Sequence, residues 1–338
     1  MLELIKDLIY VPGISGYEDE IREVIKKRLG KGVKSSVDNL GNLIVPMSEG
    51  IGSVVLMAHM DELGMIVTKI ERDGSLRIRK VGGIDDRTLV GRMVEVKTSK
   101  GIVAGAIGMK PLHLMTDRTE TKKTVPAEDL RVDVGTRSKK ETEKLGIALM
   151  DPMVLKKDFT VMNKKYICAR GMDDRAGCAI LMDIHQKLKK VKLKLGVTLV
   201  FSTQEEVGLR GAIAIANTLK PDYIFAVDSL STTDGPGLPK NSEPVVLGKG
   251  PALRLIDNRA MASPMLKDYL VKLAKKKKIP LQVGVTGGST DGAAVQECGA
   301  AMMPVCMPLR YTHSPVEIVH LDDLKNISKL LVEAVKGL

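Results

Sequence analysis

The feature that most constrains this fold is an interruption in the hydrophobic pattern. From about residue 66 to 160 short segments alternate apolar and polar residues: "MIVTKI", "SLRIRKV", "RMVEVKT", "GIVAGAIG" and "LRVDVG". Turn signals such as "RDGS" and "SKG" separate them. A period of two is the mark of strands with one buried face. One short helix is expected there, near "SKKETEKLG", opened by a capping box. On either side of this region the pattern is strand followed by helix. Helices are expected at 1–10, after "SGYE" (15–18), and at 174–190, 209–219, 263–277, 290–298 and 321–337. Strands are expected at 53–58, 196–203, 223–228, 245–255, 281–286 and 302–309. "SGYE" reads as a second capping box, with Ile21, Val24, Ile25 and Leu29 on one face of the helix it opens. The expected organisation is an α/β domain of residues 1–65 and 160–338, interrupted by a β-rich insertion of residues 66–159.

Composition narrows the classes of function. A chain of 338 residues has a length prior of roughly two domains. No apolar run reaches the ~18 residues that cross a bilayer, so no membrane partner is expected. "MLELIKDLIYVPG" carries acidic residues inside its apolar stretch and reads as an amphipathic helix rather than a signal peptide. Cys168, Cys178, Cys298 and Cys306 show no C-x-x-C spacing, which points to a reducing cytoplasm. The net charge of +11 invites a nucleic-acid partner. Its Lys clusters, "HQKLKKVKLKL" and "VKLAKKKKIP", fall at ends of expected helices, where they form a solvated face and complement the helix dipole. With 3% aromatic residues and no Trp, platforms for stacked bases are scarce, and nucleic acid is not the expected partner.

The polar residues gather at one place in the pattern. Ligands of open α/β sheets bind beyond the carboxyl ends of the strands. "SVVLMA" runs into His59 and Asp61, "VTLVFST" into Glu205 and Glu206, "YIFAV" into Asp228, and "MMPVCMPLRYT" into His313. Asp173 and Asp174, in "ARGMDDRAG", sit where a helix begins. So much negative charge on one edge would repel itself unless cations were present. Mixed imidazole and carboxylate ligation suits Zn²⁺, Co²⁺ or Mn²⁺, and two ions can share a bridging carboxylate. Taken singly, each residue has a plainer reading. Asp173 alone is a helix N-cap, and Glu205 and Glu206 alone are a solvated strand end. His113, His185 and His320 are assigned as hydrogen-bonded loop residues. It is the coincidence of all the others at equivalent sheet positions that favours a site. Alternation at the strand end is expected to aim Glu205 and Glu206 in different directions.

"AHMDELG", "ARGMDDRAG", "STQEEVGLRGA", "FAVDSL", "GGSTDGAA" and "LRYTHSPVEIV" occur in the order seen in the M42 family of metallo-aminopeptidases, which the chain resembles over essentially its whole length. That family includes tetrahedral and deblocking aminopeptidases and glucanase-labelled relatives. The resemblance implies a zinc-exopeptidase fold, a phosphorylase/hydrolase-like mixed-sheet α/β sandwich, with the β insertion serving dimerisation. It implies two divalent ions, Zn²⁺ or Co²⁺, per subunit. Asp173 would bridge them, Glu206 and His313 would complete one position, and His59 and Asp228 the other. It implies Glu205 as general base and acid toward a water between the ions, Asp61 as the carboxylate that orients His59, and a cis Asp173–Asp174 peptide. Peptide substrates and a homo-oligomer, dimers assembled into a tetrahedral dodecamer, follow from the same resemblance. The stretch after Asp228, "SLSTTDGPGLP", is less regular than in that family.

Three rival readings remain open on the residues. Paired carboxylates also serve metal-independent glycosidases of the endoglucanase type, although sugar clefts use aromatic platforms that this chain barely has. A metallo-carboxypeptidase or deacylase would share the ligands. A chaperone-like shell without catalysis would have no use for the base.

Overall fold

The structure is a computed structural model, and it describes residues 1–238 and 245–338. Along the chain come α1 (Leu2–Ile9), α2 (Asp19–Leu29), β1 (Ser36–Val37), β2 (Leu43–Ser48) and β3 (Ser53–His59). Then follow β4 (Gly64–Ile70), β5 (Leu76–Val81), β6 (Met93–Thr98), β7 (Gly101–Ile107), β8 (Val132–Asp133), α3 (Lys139–Lys144) and β9 (Pro152–Leu155). Next are β10 (Phe159–Met162), β11 (Tyr166–Ala169), α4 (Met172–Leu188), β12 (Gly196–Ser202), α5 (Arg210–Leu219) and β13 (Tyr223–Ser231). The chain closes with β14 (Ala252–Arg254), α6 (Pro264–Lys277), β15 (Gln282–Gly284), α7 (Asp291–Gln296), β16 (Ala301–Leu309), β17 (Glu317–His320) and α8 (Leu321–Gly337).

The chain divides into two compact units. The first is Met1–Glu62 with Asp158–Thr312 and Val316–Leu338; the second is Leu63–Lys157 with His313–Pro315. The first unit is built on an eight-stranded mixed sheet in the order β1-β2-β12-β3-β13-β16-β14-β15. Its middle strands β12, β3, β13 and β16 are mutually parallel, so their carboxyl ends share one edge. β3 is buried at every residue from Val54 to His59, as an apolar run between two helical layers must be. The core on one side joins Ile5, Leu8, Ile21, Ile180, Ile184, Leu324 and Leu331; the other side gathers Val55, Met57, Val200, Ile215, Ile224 and Val295. A separate three-stranded sheet, β10-β11-β17, carries the turn into α4.

The second unit contains a closed barrel, β4-β5-β8-β7-β6-β9, with Met65, Val67, Leu76, Ile78, Val94, Val96, Val132 and Met153 filling it. The helix expected near "SKKETEKLG" is α3, and the Ser138 hydroxyl caps it by accepting from the Glu141 amide.

Several expectations are corrected. The 245–255 strand is confined to Ala252–Arg254, because Gly248 and Gly250 adopt positive φ and donate their amides to the Asp323 carboxylate. Those glycines bend the segment out of the ladder. The "SGYE" capping box does not form: α2 begins after Glu18 with no side-chain cap, and Ser15 and Glu18 are both buried with other partners. His185 lies within α4 and His320 ends β17, where its ring caps α8 by accepting from the Asp322 amide; neither is a loop residue. β1, β2, β9, β10, β11 and β17 were not anticipated; all but β2 are four residues long or fewer, and β2 contains Pro46.

One buried cation ties the N-terminal helix to the sheet. Arg175, fully buried in α4, donates to the carbonyl oxygens of Leu8 (3.0 Å), Val11 (3.1 Å) and Gly13 (3.3 Å). It also reaches the Glu62 carboxylate at 3.4 Å. The Leu8 carbonyl lies in the last turn of α1, where a positive charge is favoured, and those of Val11 and Gly13 follow it. Arg175→Met is expected to lower stability by about 3 kcal/mol, the scale for removing one partner of a buried ion pair. The shift of the denaturant midpoint at constant slope measures it.

Candidate metal centre

The parallel register brings the polar residues level with one another. Ser202 of β12 pairs with His59 of β3. Pairing between β13 and β3 ends at Ala226 opposite Met57, so Asp228 stands two residues beyond, as His59 stands two beyond Met57. Asp228 therefore lies inside β13, which continues to Ser231, rather than after it. Asp173 arrives from the first turn of α4, where it and Asp174 leave helical geometry and are joined by a cis peptide. The Asp174 carboxylate fills the space a side chain at Gly177 would need: a Cβ there would lie 2.2 Å from Oδ1. Only glycine fits at that helical position.

His59, Asp173 and Asp228 are all buried, with one ligand atom of each within 4.8 Å of the others. His59, Glu205 and Glu206 form a second such group. His59 Nε2 is 3.2 Å from Asp173 Oδ1 and 4.0 Å from Glu205 Oε2. Its Nδ1 lies 3.1 Å from the backbone oxygen of Asp61 and 3.3 Å from Asp61 Oδ1, which fixes the ring. Asp61, fully buried, also accepts from the Glu205 amide (3.0 Å), the Glu206 amide (3.2 Å) and the Ser15 hydroxyl (2.6 Å). The Ser229 hydroxyl donates to Asp173 at 2.7 Å, and Glu317 accepts the Met172 amide at 2.8 Å.

Glu205 and Glu206 do not follow strand alternation: one carboxylate oxygen of each lies within 4.8 Å of the other and of a His59 ring nitrogen. β12 ends at Ser202, and Gln204 has a positive φ of 55°, so the pair sits on a turn. The turn, not pleating, sets where the two side chains project.

The electrostatics are those of surplus buried negative charge. Burial, then the neighbouring Asp173, pushes the carboxyls of Glu206 and Asp228 above the usual range. Burial raises Glu205 and Asp174 well above it, although the nearby His59 works in the opposite direction. Burial pushes Asp291, which accepts from the Ser202 hydroxyl, up to about 7. Burial works against a charged His59, yet its bonds to Asp173 and Asp61 win and hold its pKa well above the ordinary value. Three carboxylates and an imidazole gathered in one largely buried place are the donor set of a divalent transition-metal site, so these residues fit the expected ions.

His313 belongs to the short segment grouped with the second unit, has φ of 63°, and its Nδ1 lies 3.2 Å from the Gly83 carbonyl oxygen. The sequence reading left Ser15, Glu18, Glu62, Ser229 and Glu317 without a place here. All five stand in motifs that were noticed, but nothing in a string tells which side chain turns inward. The stretch after Asp228 is held at Asp234, whose carboxylate accepts from Arg310 (2.7 and 2.9 Å) and the Leu247 amide (3.1 Å); its last residue, Pro239, lies outside the described residues.

A family model described as M42 glutamyl aminopeptidase matches residues 41–330. Among solved structures, the Pyrococcus horikoshii TET1 peptidase, described as assembling into a tetrahedron or a large octahedral shell, is 42% identical, with a TM-score of 0.92 and 99% of each chain covered. Aminopeptidase APDkam598 of the archaeon Desulfurococcus kamchatkensis is 36% identical, with a TM-score of 0.93, covering 100% of this chain and 94% of that one. The lysyl aminopeptidase of Pyrococcus furiosus is 31% identical over 347 residues, 99% of this chain and 97% of its own length. These neighbours give the first unit its fold class, the zinc-exopeptidase α/β sandwich.

The raised carboxyls fix the sign of a pH dependence. An unfolded carboxylate titrates near 4, so the unfolded chain releases these protons first and stability falls as pH rises. For Asp291 the window is about pH 4 to about 7. Chelator-treated protein is therefore expected to lose thermal stability between pH 5 and 8. Added Zn²⁺ or Co²⁺ should raise the melting temperature more at pH 8 than at pH 5. A chelated protein that gains stability over this range would contradict the charge surplus.

Proposed function

Because the chain belongs to the M42 peptidase family and is one of its aminopeptidases, we propose that it removes N-terminal residues from peptides by hydrolysis assisted by two divalent ions. The observation that carries this reading is the buried His59–Asp173–Asp228 group standing beside Glu205 and Glu206. In this reading two ions would be held by His59, Asp173, Asp228, Glu206 and His313, with Asp173 shared between them. Zn²⁺ and Co²⁺ both suit that donor set. Bound ions would polarise the scissile carbonyl and acidify water at the site.

Glu205 is the proton carrier. Burial, then the neighbouring carboxylates, raise its pKa well above the ordinary range against the pull of His59, and one of its oxygens stands in the same group as His59 and Glu206. Glu205 takes a proton from the attacking water and returns it to the leaving amine. Asp61 orients the His59 ring and, through two backbone amides, the turn that carries Glu205. Ser229 steadies Asp173 from the opposite side.

The residue preference at the cleaved end is a separate matter, since the family description names glutamyl and a relative is named lysyl. We assign the barrel-containing unit as the contact surface of an oligomer, following the assemblies described for the P. horikoshii relative. A cytoplasmic setting agrees with Cys168, Cys178, Cys298 and Cys306 all being free thiols. Among the described residues no helix is long and apolar enough to cross a membrane.

Glu205→Gln is the direct test. Turnover of aminoacyl chromogenic substrates should fall by about three orders of magnitude or more, while bound metal per subunit stays at the parent value. Retained turnover would remove Glu205 from this role. Running lysyl, glutamyl and leucyl substrates, free and N-blocked, with chelator and Co²⁺ add-back, separates the activity from deacylation. Hydrolysis of a cellulose derivative that survives chelation would point to a glycosidase instead.

A further inference from the structure

The "SGYE" stretch is freed from its expected capping role, and its two polar side chains point elsewhere. Ser15 and Glu18 are 8% and 4% exposed. One oxygen of Glu18, Oε1, accepts the Gly16 amide at 2.9 Å and the Gln204 amide at 3.0 Å. The next two amides, of Glu205 and Glu206, go to Asp61. Three consecutive N–H groups of the turn are thus held by two buried carboxyls. Ser15 donates its hydroxyl to Asp61 Oδ2 at 2.6 Å, so the N-terminal segment holds this turn directly through Glu18 and indirectly through Asp61. The segment is itself anchored: the Ile14–Glu62 bridge, the Glu62 amide donating to the Gly13 carbonyl (3.0 Å) and the Gly13 amide donating to the Glu62 carboxylate (3.2 Å) fix it against the end of β3.

The grip answers a conformational need. Gln204 occupies the left-handed region, which costs a non-glycine residue of order 1–3 kcal/mol unless its surroundings enforce it. The Arg210 amide holds the Gln204 carbonyl at 3.2 Å, and Glu18 holds its N–H. We infer that Ser15 and Glu18 are positioning residues of the hydrolytic site: they fix the Gln204–Glu206 turn and so set where Glu205 and Glu206 project. The inference rests on the functional reading above for what Glu205 does, but not for the geometry of the turn. Burial, with the Asp61 charge adding to it, pushes the Glu18 carboxyl up to about 7, so a neutral carboxamide offers the same acceptor.

Parent, E18A, E18Q and S15A are compared by kcat and KM on an aminoacyl chromogenic substrate with Co²⁺, by bound metal per subunit, and by amide hydrogen exchange of the peptide 201–209. In E18A, kcat is expected to fall by about tenfold or more with KM and metal content near the parent values. Exchange in 201–209 should speed up by about tenfold while that of α8 is unchanged. E18Q should restore kcat and exchange to within about threefold of the parent, since its amide oxygen accepts the same N–H groups. S15A should lose about threefold to tenfold in kcat. An E18A that keeps parent kcat and exchange overturns the inference, as does an E18Q no better than E18A. Should E18A fail to fold, S15A decides, and parent-like exchange there overturns it. A parent without chelator-sensitive aminopeptidase activity defeats the functional reading alone, because the exchange measurements are made without turnover.

Discussion

The site depends on one fully buried carboxylate. Asp61 receives donors from three separate stretches of chain: Ser15 from the N-terminal segment, the His59 ring from its own strand end, and the Glu205 and Glu206 amides from the turn after β12. Burial alone would raise its pKa, yet these bonds, that of His59 foremost, hold it below the usual carboxylate value. Its own donors hold it toward the ionised form. A buried acceptor so fully satisfied can fix the geometry of everything bonded to it, because any displacement would leave a charge unpaired.

The rest of the group is the reverse case. Asp174, Glu205, Glu206 and Asp228 are all held above their ordinary values, chiefly by burial. A fold would not concentrate them for stability, since desolvated carboxyls that repel one another oppose folding. Their placement follows from topology. Parallel strands β3, β12 and β13 run to one edge and, with the turn after β12, bring His59, Asp228, Glu205 and Glu206 together, while α4 adds Asp173. The arrangement is intelligible if cations enter, because their charge turns a liability into a ligand set and pulls the shifted groups back to their ionised forms.

Much of this was legible in the sequence. The strands that carry the site were visible as apolar runs, and the ligand candidates as the polar residues that end them. His59, Asp173, Asp228, Glu205 and Glu206 come together in the structure. The change of period at about residue 66 marked the barrel strands, because half-buried strands must alternate. What stayed hidden were interactions over long sequence distance. Ser15 and Glu18 have the spacing of a capping box, and local rules favour that pairing. Tertiary contacts to Asp61 and Gln204, distant in sequence, outweigh it. The 245–255 strand failed for a similar reason, as Asp323 takes the glycine amides that a ladder would need.

The adjacent Glu205 and Glu206 show how local and distant constraints combine. Two neighbouring carboxylates on a regular strand would face opposite sides of the sheet, one of them away from the site. A turn lets both serve one pocket, but it requires Gln204 in a conformation that side chains avoid. That conformation persists because its amide and carbonyl are both claimed, by Glu18 and by the Arg210 amide. The N-terminal segment, far away in sequence, therefore takes part in holding this turn, through Glu18 directly and through Ser15 by way of Asp61.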